Sequence, residues 1–144
     1  RTIYGDQDPI LQLAGTDIYM EGKDPAGPLY RYNTLFANND EVKDFYEQCY
    51  NAIQVVNAGL YYNDLPEMDE SERSTKKAEL TFLRAFYHFI LMEQFGAVVV
   101  SNEYTNSPII NIPKSSLTEC YDFVITEICL SENPARFNSS NCSA

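Results

Sequence analysis

The stretch from Lys77 to Gly96 is apolar on almost every side at helical spacing. A helix with no wet face belongs in an interior. This run therefore predicts a buried helix from about Glu70 to Phe95, with the rest of the chain packed around it. At ~1.5 Å per residue it would be about 37 Å long. Asp69 with Glu72 reads as its N-cap pair, and Gly96 is placed to end it in a left-handed C′ conformation.

Two more helices are legible. One runs from about Asp40 to Tyr61, where Val42, Phe45, Tyr46, Cys49, Ile53, Val56 and Leu60 follow i, i+3, i+4 spacing. Asp44, Glu47, Gln48, Asn51 and Gln54 fill its other face, and Asn38 with Glu41 reads as its capping box. The other runs from about Leu117 to Leu130, opened by the capping box Ser116–Glu119, with Leu117, Cys120, Tyr121, Val124, Ile125 and Ile128 as its inward stripe. A fourth candidate, Pro9 to Met20, would turn Leu11, Ala14 and Ile18 inward.

The connections are weaker signals. Residues 22–37 hold Pro and Gly pairs and read as an exposed loop. Residues 97–114 start β-branched and then carry Ser107-Pro108 and Asn111-Ile112-Pro113, so an extended connection is expected. A lone strand there would lack a partner. Residues 133–144 are polar and read as a frayed tail. The expected fold is an all-α antiparallel array forming one domain over residues 1–132. The first two long helices could pair as a hairpin, although no 34-residue repeat is visible.

A net charge of −11 on 144 residues argues against nucleic acid and anionic lipid surfaces as partners. No stretch approaches the ~20 apolar residues of a membrane span. Arg1-Thr2-Ile3-Tyr4 is not a secretory leader, and the chain reads as a processed or excised piece. Cys49, Cys120, Cys129 and Cys142 match neither a zinc spacing nor a C-x-x-C motif. Cys120 and Cys129 would sit on opposite faces of one helix and cannot bridge.

No catalytic signature is present, and no metal or cofactor is expected. Lys77, Thr81, Arg84 and His88 form one polar stripe on the apolar helix. As a functional surface it would be an anion-binding or acid–base face. As structure it would meet carboxylates or carbonyls of a neighbouring helix, and that reading is preferred because buried polar groups are nearly always paired. Arg84 is the expected anchor, its planar fork suiting a bidentate carboxylate or several carbonyls. His88 is the chain's single His and has no nucleophile or second His beside it in any motif. Asn57 falls on an apolar helix face, where its amide needs partners. Asp64, Glu67, Asp69, Glu70 and Glu72 lack calcium-loop spacing and a Gly, and read as a solvated acidic turn. The segment from Asp24 to Asn33 is the one loop suited to a ligand: Tyr30 and Tyr32 offer aromatic faces for sugar rings, and Asp24, Arg31 and Asn33 offer hydrogen bonds; the alternative is that Leu29, Tyr30 and Phe36 tuck the loop onto the helices.

The pattern A-E-x-x-F-L-R-A-F-Y-x-F-x-L-x-x-x-F-G over Ala78–Gly96 resembles the central helix of the SusD/RagB family of Bacteroidetes outer-membrane proteins. Asp17-Ile18-Tyr19, Tyr46–Tyr50 with Ile53 and Asn57, and Glu119–Val124 extend the resemblance over residues 16–130. It implies a tetratricopeptide-like helical scaffold and a non-catalytic role. It also implies binding of an oligosaccharide or related nutrient, and partnership with a SusC-type TonB-dependent transporter. The family is several times longer, so the resemblance makes this an N-terminal part of a cell-surface lipoprotein whose lipidated Cys lies upstream. Cys49 is mid-helix and is not that anchor. The aromatics here are all Tyr and Phe, whereas family glycan sites often use Trp. A helical protein-interaction scaffold without a small ligand is the alternative.

Overall fold

Helical periodicity at three places gives three long helices. The computed structural model describes residues 15–17, 28–32, 35–36, 38–64, 67–107 and 111–132. They carry helices α1 (Pro28–Arg31), α2 (Asp40–Tyr62), α3 (Glu70–Phe95) and α4 (Leu117–Glu132). Extended segments join them, and no strand occurs among the described residues. The chain divides into two compact units, Arg1–Gln48 and Cys49–Ala144.

In the first unit, residues 15–17 make a turn in which Gly15 has φ +76°. The Tyr32 ring occupies the space that a side chain at this glycine would need. The stretch expected as an irregular loop contains α1, which starts on Pro28, where the missing N–H costs no helical bond. Its turn closes with the Tyr32 N–H donating to Pro28 O at 2.9 Å. The cap of α2 is Asn39 rather than Asn38: Asn39 Oδ1 accepts the Val42 N–H at 3.0 Å. The candidate helix at 9–20, apart from its turn at 15–17, and the tail at 133–144 lie outside the described residues.

In the second unit, α3 packs against α4, and α2 buries Cys49, Ile53 and Val56. The α2–α3 corner is tied by Asn63 Nδ2, which donates to Arg73 O at 3.3 Å. Gly59 lets Leu80 approach, since a Cβ there would lie 3.1 Å from Leu80 Cδ1. Asp69 stands at the N-cap of α3 but its side chain makes no capping bond. Glu70 and Glu72 still favour the positive helix start. Gly96 ends α3 with the expected positive φ, 70°, but its ψ of −128° is outside the left-handed helical region. The capping box of α4 is complete: Glu119 N–H donates to Ser116 Oγ at 3.2 Å, and Ser116 N–H donates to Glu119 Oε2 at 2.7 Å.

Two expectations about faces need correction. First, α3 is not buried all round: Thr81, Ala85, His88, Ile90, Leu91 and Met92 are buried, while Phe82, Leu83 and Phe89 are exposed. The buried side includes Thr81 and His88 of the polar stripe, and Arg84 and His88 are turned toward neighbouring segments that hold their partners. Second, α4 is rotated from its most apolar stripe. Cys120, Val124 and Glu127 are buried, whereas Leu117, Tyr121, Ile125 and Ile128 are exposed. A carboxylate on the apolar helix decides the rotation, since Glu127 must reach the Arg84 cation.

Cys49 and Cys120 are buried, free thiols. Burial pushes the Cys49 thiol up to about 11, which keeps it an inert apolar filler. Cys142 is outside the described residues.

Ile53 and Ile125 test the assignment of faces. Ile53→Ala, at a fully buried site, should lower unfolding stability by about 2–5 kcal/mol. Ile125→Ala, at a site 54% exposed, should shift it by less than ~0.5 kcal/mol. Urea unfolding followed by circular dichroism measures both, and equal costs would contradict the rotation of α4.

Candidate functional site

Residues 98–103 run extended between α3 and α4, with no strand beside them among the described residues. Val98 is buried and residues 99–101 are half-buried, so backbone groups here need partners. Side chains from the helices supply them. The Tyr50 hydroxyl donates to Val99 O at 2.8 Å and accepts the Val99 N–H at 3.0 Å. Asn57 Nδ2 donates to Ser101 O at 3.2 Å and to Glu103 O at 3.1 Å. Arg84 Nη1 donates to Asn102 O at 2.9 Å. His88 Nε2 accepts the Ser101 N–H at 3.1 Å. The Val98 carbonyl takes the Ser115 N–H at 2.9 Å and the Cys120 thiol at 3.6 Å.

Arg84 is the centre of this set. Its Nε and Nη2 make the two-pronged bond to Glu127, at 2.7 and 2.9 Å. Its Nη1 also meets Asn57 Oδ1 at 3.1 Å. The guanidinium lies 5.9 Å from the Phe123 ring centroid, a cation–π distance. Both charged side chains are largely out of water, at 13% and 7% exposure. The remaining members of the sequence stripe differ. Lys77 is half-buried, and Thr81 is buried with its hydroxyl lacking a hydrogen-bond partner.

His88 is fixed as one neutral tautomer. Its Nδ1 is 2.8 Å from Arg84 O, a carbonyl that can only accept, so Nδ1 carries the hydrogen. Nε2 must then keep its lone pair for the Ser101 N–H. Protonating Nε2 would break that bond. Burial, with a smaller push from the Arg84 charge, lowers the His88 pKa to about 4, against an opposing pull from the Arg84 carbonyl. Phe123 closes the other side edge-on, with centroids 4.9 Å apart. The arrangement holds a segment in place, with His88 kept neutral near pH 7.

The loop residues expected to meet a ligand are only partly placed. Asp24 and Asn33 lie outside the described residues, and of Tyr30 only the backbone, within α1, is described. Arg31 and Tyr32 are exposed at the end of α1, and Tyr32 has φ +55°. The acidic turn carries exposed carboxylates at Asp64, Glu67, Asp69, Glu70 and Glu72. No group of three His, Cys, Asp or Glu suited to a metal occurs among the described residues.

Sequence reasoning missed two features. Glu127 is the partner of Arg84, and its signal was the spacing Cys120, Val124, Glu127 on one helical stripe. Tyr61, Tyr62 and Tyr104 form an exposed cluster, with Tyr61–Tyr62 centroids at 4.9 Å and Tyr104 at 5.3 and 5.6 Å from them. Tyr104 is far away in sequence, so no spacing could reveal it.

Residues 28–133 match the model of a protein family described as SusD-like, starch-binding and associating with the outer membrane. Among solved structures the chain is similar to a SusD-like protein from Bacteroides fragilis. The two are 27% identical with a TM-score of 0.68, over 76% of this chain and 22% of that one. The chain thus spans about a fifth of that relative's length. No curated protein sequence matches it.

Two outcomes test the buried set. Arg84→Met strands the Glu127 carboxylate and should cost about 3–5 kcal/mol. Arg84→Met combined with Glu127→Leu should cost clearly less, which a urea-unfolding double-mutant cycle measures. For His88 the unfolded chain titrates near 6.5 and the folded chain near 4, so the unfolded state binds more protons between those values. Its contribution is fully present above pH 6.5 and is lost as pH falls toward 4, by about 3 kcal/mol. His88→Gln should flatten that part of the stability–pH profile relative to the native chain.

Proposed function

This chain belongs to the SusD-like family, and we propose that it is a glycan-binding part of an outer-membrane nutrient-uptake system. The match of residues 28–133 to a starch-binding, outer-membrane-associated family carries the proposal. The ligand is a starch-type or related oligosaccharide, captured and passed on without cleavage. The partner is a SusC-type TonB-dependent transporter, and the working location is the cell surface, as part of a lipoprotein. Its helices serve as a tetratricopeptide-like scaffold. On this reading α3 is a strut, and ligand contacts come from loops. Asp24, Tyr30, Arg31, Tyr32 and Asn33 are the proposed contacts, with Asn57, Arg84 and His88 structural.

Exposed Arg31 and Tyr32 support this choice, since one brings a planar cation and the other an aromatic ring to the same helix end. The exposed Phe82, Leu83 and Phe89 of α3 and Ile125 of α4 favour a second reading, a protein-interaction scaffold with no small ligand.

Electrophoresis in gels containing soluble starch separates the two. The glycan reading expects retarded migration of the chain, with much of the mobility restored by Arg31→Ala combined with Tyr32→Ala. It also expects a TonB-dependent transporter to co-purify from outer membranes. Unretarded migration with starch and with a panel of other neutral polysaccharides, by a chain of normal helicity, would falsify the glycan reading and leave the scaffold.

A further inference from the structure

α2 ends in adjacent tyrosines, Tyr61 and Tyr62, that are 64% and 47% exposed. Tyr104 reaches them from the extended connection and raises the Tyr62 phenol above its ordinary range through a hydrogen bond and charge repulsion. Beside this trio lies a shallow, open groove of about 480 Å³. Gln54, Val55 and Ala58 of α2 form one wall, and residues 104–107 form the other. Gln54, Ala58 and Tyr61 are spaced four and three apart, so the groove wall and the first tyrosine share a helix stripe.

The lining chemistry narrows the ligand. Every lining residue is uncharged, on a chain of net charge −11. An ionic ligand would find no countercharge there. An oily ligand would strip water from Gln54, Thr105, Asn106 and Ser107 without replacing it. A sugar ring meets both demands. Its C–H face stacks on the Tyr104 or Tyr61 ring, and its hydroxyls both donate to and accept from amides and hydroxyls.

We propose that the groove between Gln54–Ala58 and Tyr104–Ser107, continued by Tyr61 and Tyr62, is a binding subsite for a short neutral oligosaccharide. It is separate in sequence from the Asp24–Asn33 loop. It rests on the glycan-binding reading above, because that reading makes saccharides the relevant solutes.

Calorimetric titration of the 144-residue chain with maltoheptaose tests it. Tyr61→Ala combined with Tyr62→Ala should weaken binding about tenfold, while Tyr61→Phe, which keeps the ring, should stay within about twofold. Ring-labelled tyrosine should show magnetisation transfer between Tyr61 or Tyr104 and sugar protons in the unaltered chain, a readout independent of any variant's folding. Native affinity in the double variant, with no transfer to these rings, overturns the subsite. If Arg31→Ala with Tyr32→Ala still weakens binding in that case, the glycan reading survives alone. Absence of binding to maltoheptaose, soluble starch and the neutral-polysaccharide panel by the unaltered chain overturns both.

Discussion

An extended backbone that makes its bonds to helix side chains is the constraint on which the second unit depends. Residues 98–101 of this segment are buried or half-buried, and polar groups there cannot be left dry without several kcal/mol of cost. Helix side chains meet that demand one group at a time, through Tyr50, Asn57, Arg84 and His88. This explains why the most polar stripe of α3 faces inward. It also explains why Tyr50, Asn57, Arg84 and His88 stand where they do: each is matched to a carbonyl or an amide of the connection.

The Arg84–Glu127 pair is better understood as a registration device than as a source of stability. Desolvating two charges is expensive, and a well-packed apolar pair of the same size often does as well. What apolar packing cannot do is choose one rotation of α4. Its exposed residues Leu117, Tyr121, Ile125 and Ile128 outnumber its buried apolar ones, Cys120 and Val124. Hydrophobicity alone would turn α4 the other way. The two-pronged bond at 2.7 and 2.9 Å admits one rotation only.

Much of this was legible in the sequence, for identifiable reasons. Periodicity gives α2, α3 and α4, since a repeat near 3.6 survives in a linear string. The Ser116–Glu119 box is a local bond between near neighbours, and it forms as read. The need of Asn57 and Arg84 for partners follows from a polar group on an apolar face. The identity of those partners does not, because Glu127 is 43 residues from Arg84 and Ser101 is 44 from Asn57. The outer face of α3 fails differently. Apolar residues all round predict burial, and Phe82 is 50% exposed. Composition records how much surface seeks cover, not which segment provides it. The tyrosine trio was hidden for the same reason as Glu127.

The two sets of residues in the second unit are mechanically one. Gln54 lines the groove and also donates to Ser101 Oγ at 3.4 Å, inside the buried set. Asn57 holds Glu103 O at 3.1 Å, one residue before Tyr104. Arg84 in turn holds Asn57 Oδ1 at 3.1 Å. The position of the Tyr104 ring against Tyr61 and Tyr62 is therefore set by a chain of bonds that ends on Glu127. Sugar stacking needs a ring already in place, since ordering it at the moment of binding would consume part of the small gain each contact offers. A rigid, charged interior supporting a neutral, exposed rim supplies that condition. It also accounts for how a chain with 19 Tyr and Phe residues and no Trp can present a fixed aromatic surface: the backbone beneath Tyr104 is held by the helices rather than by the ring's own burial.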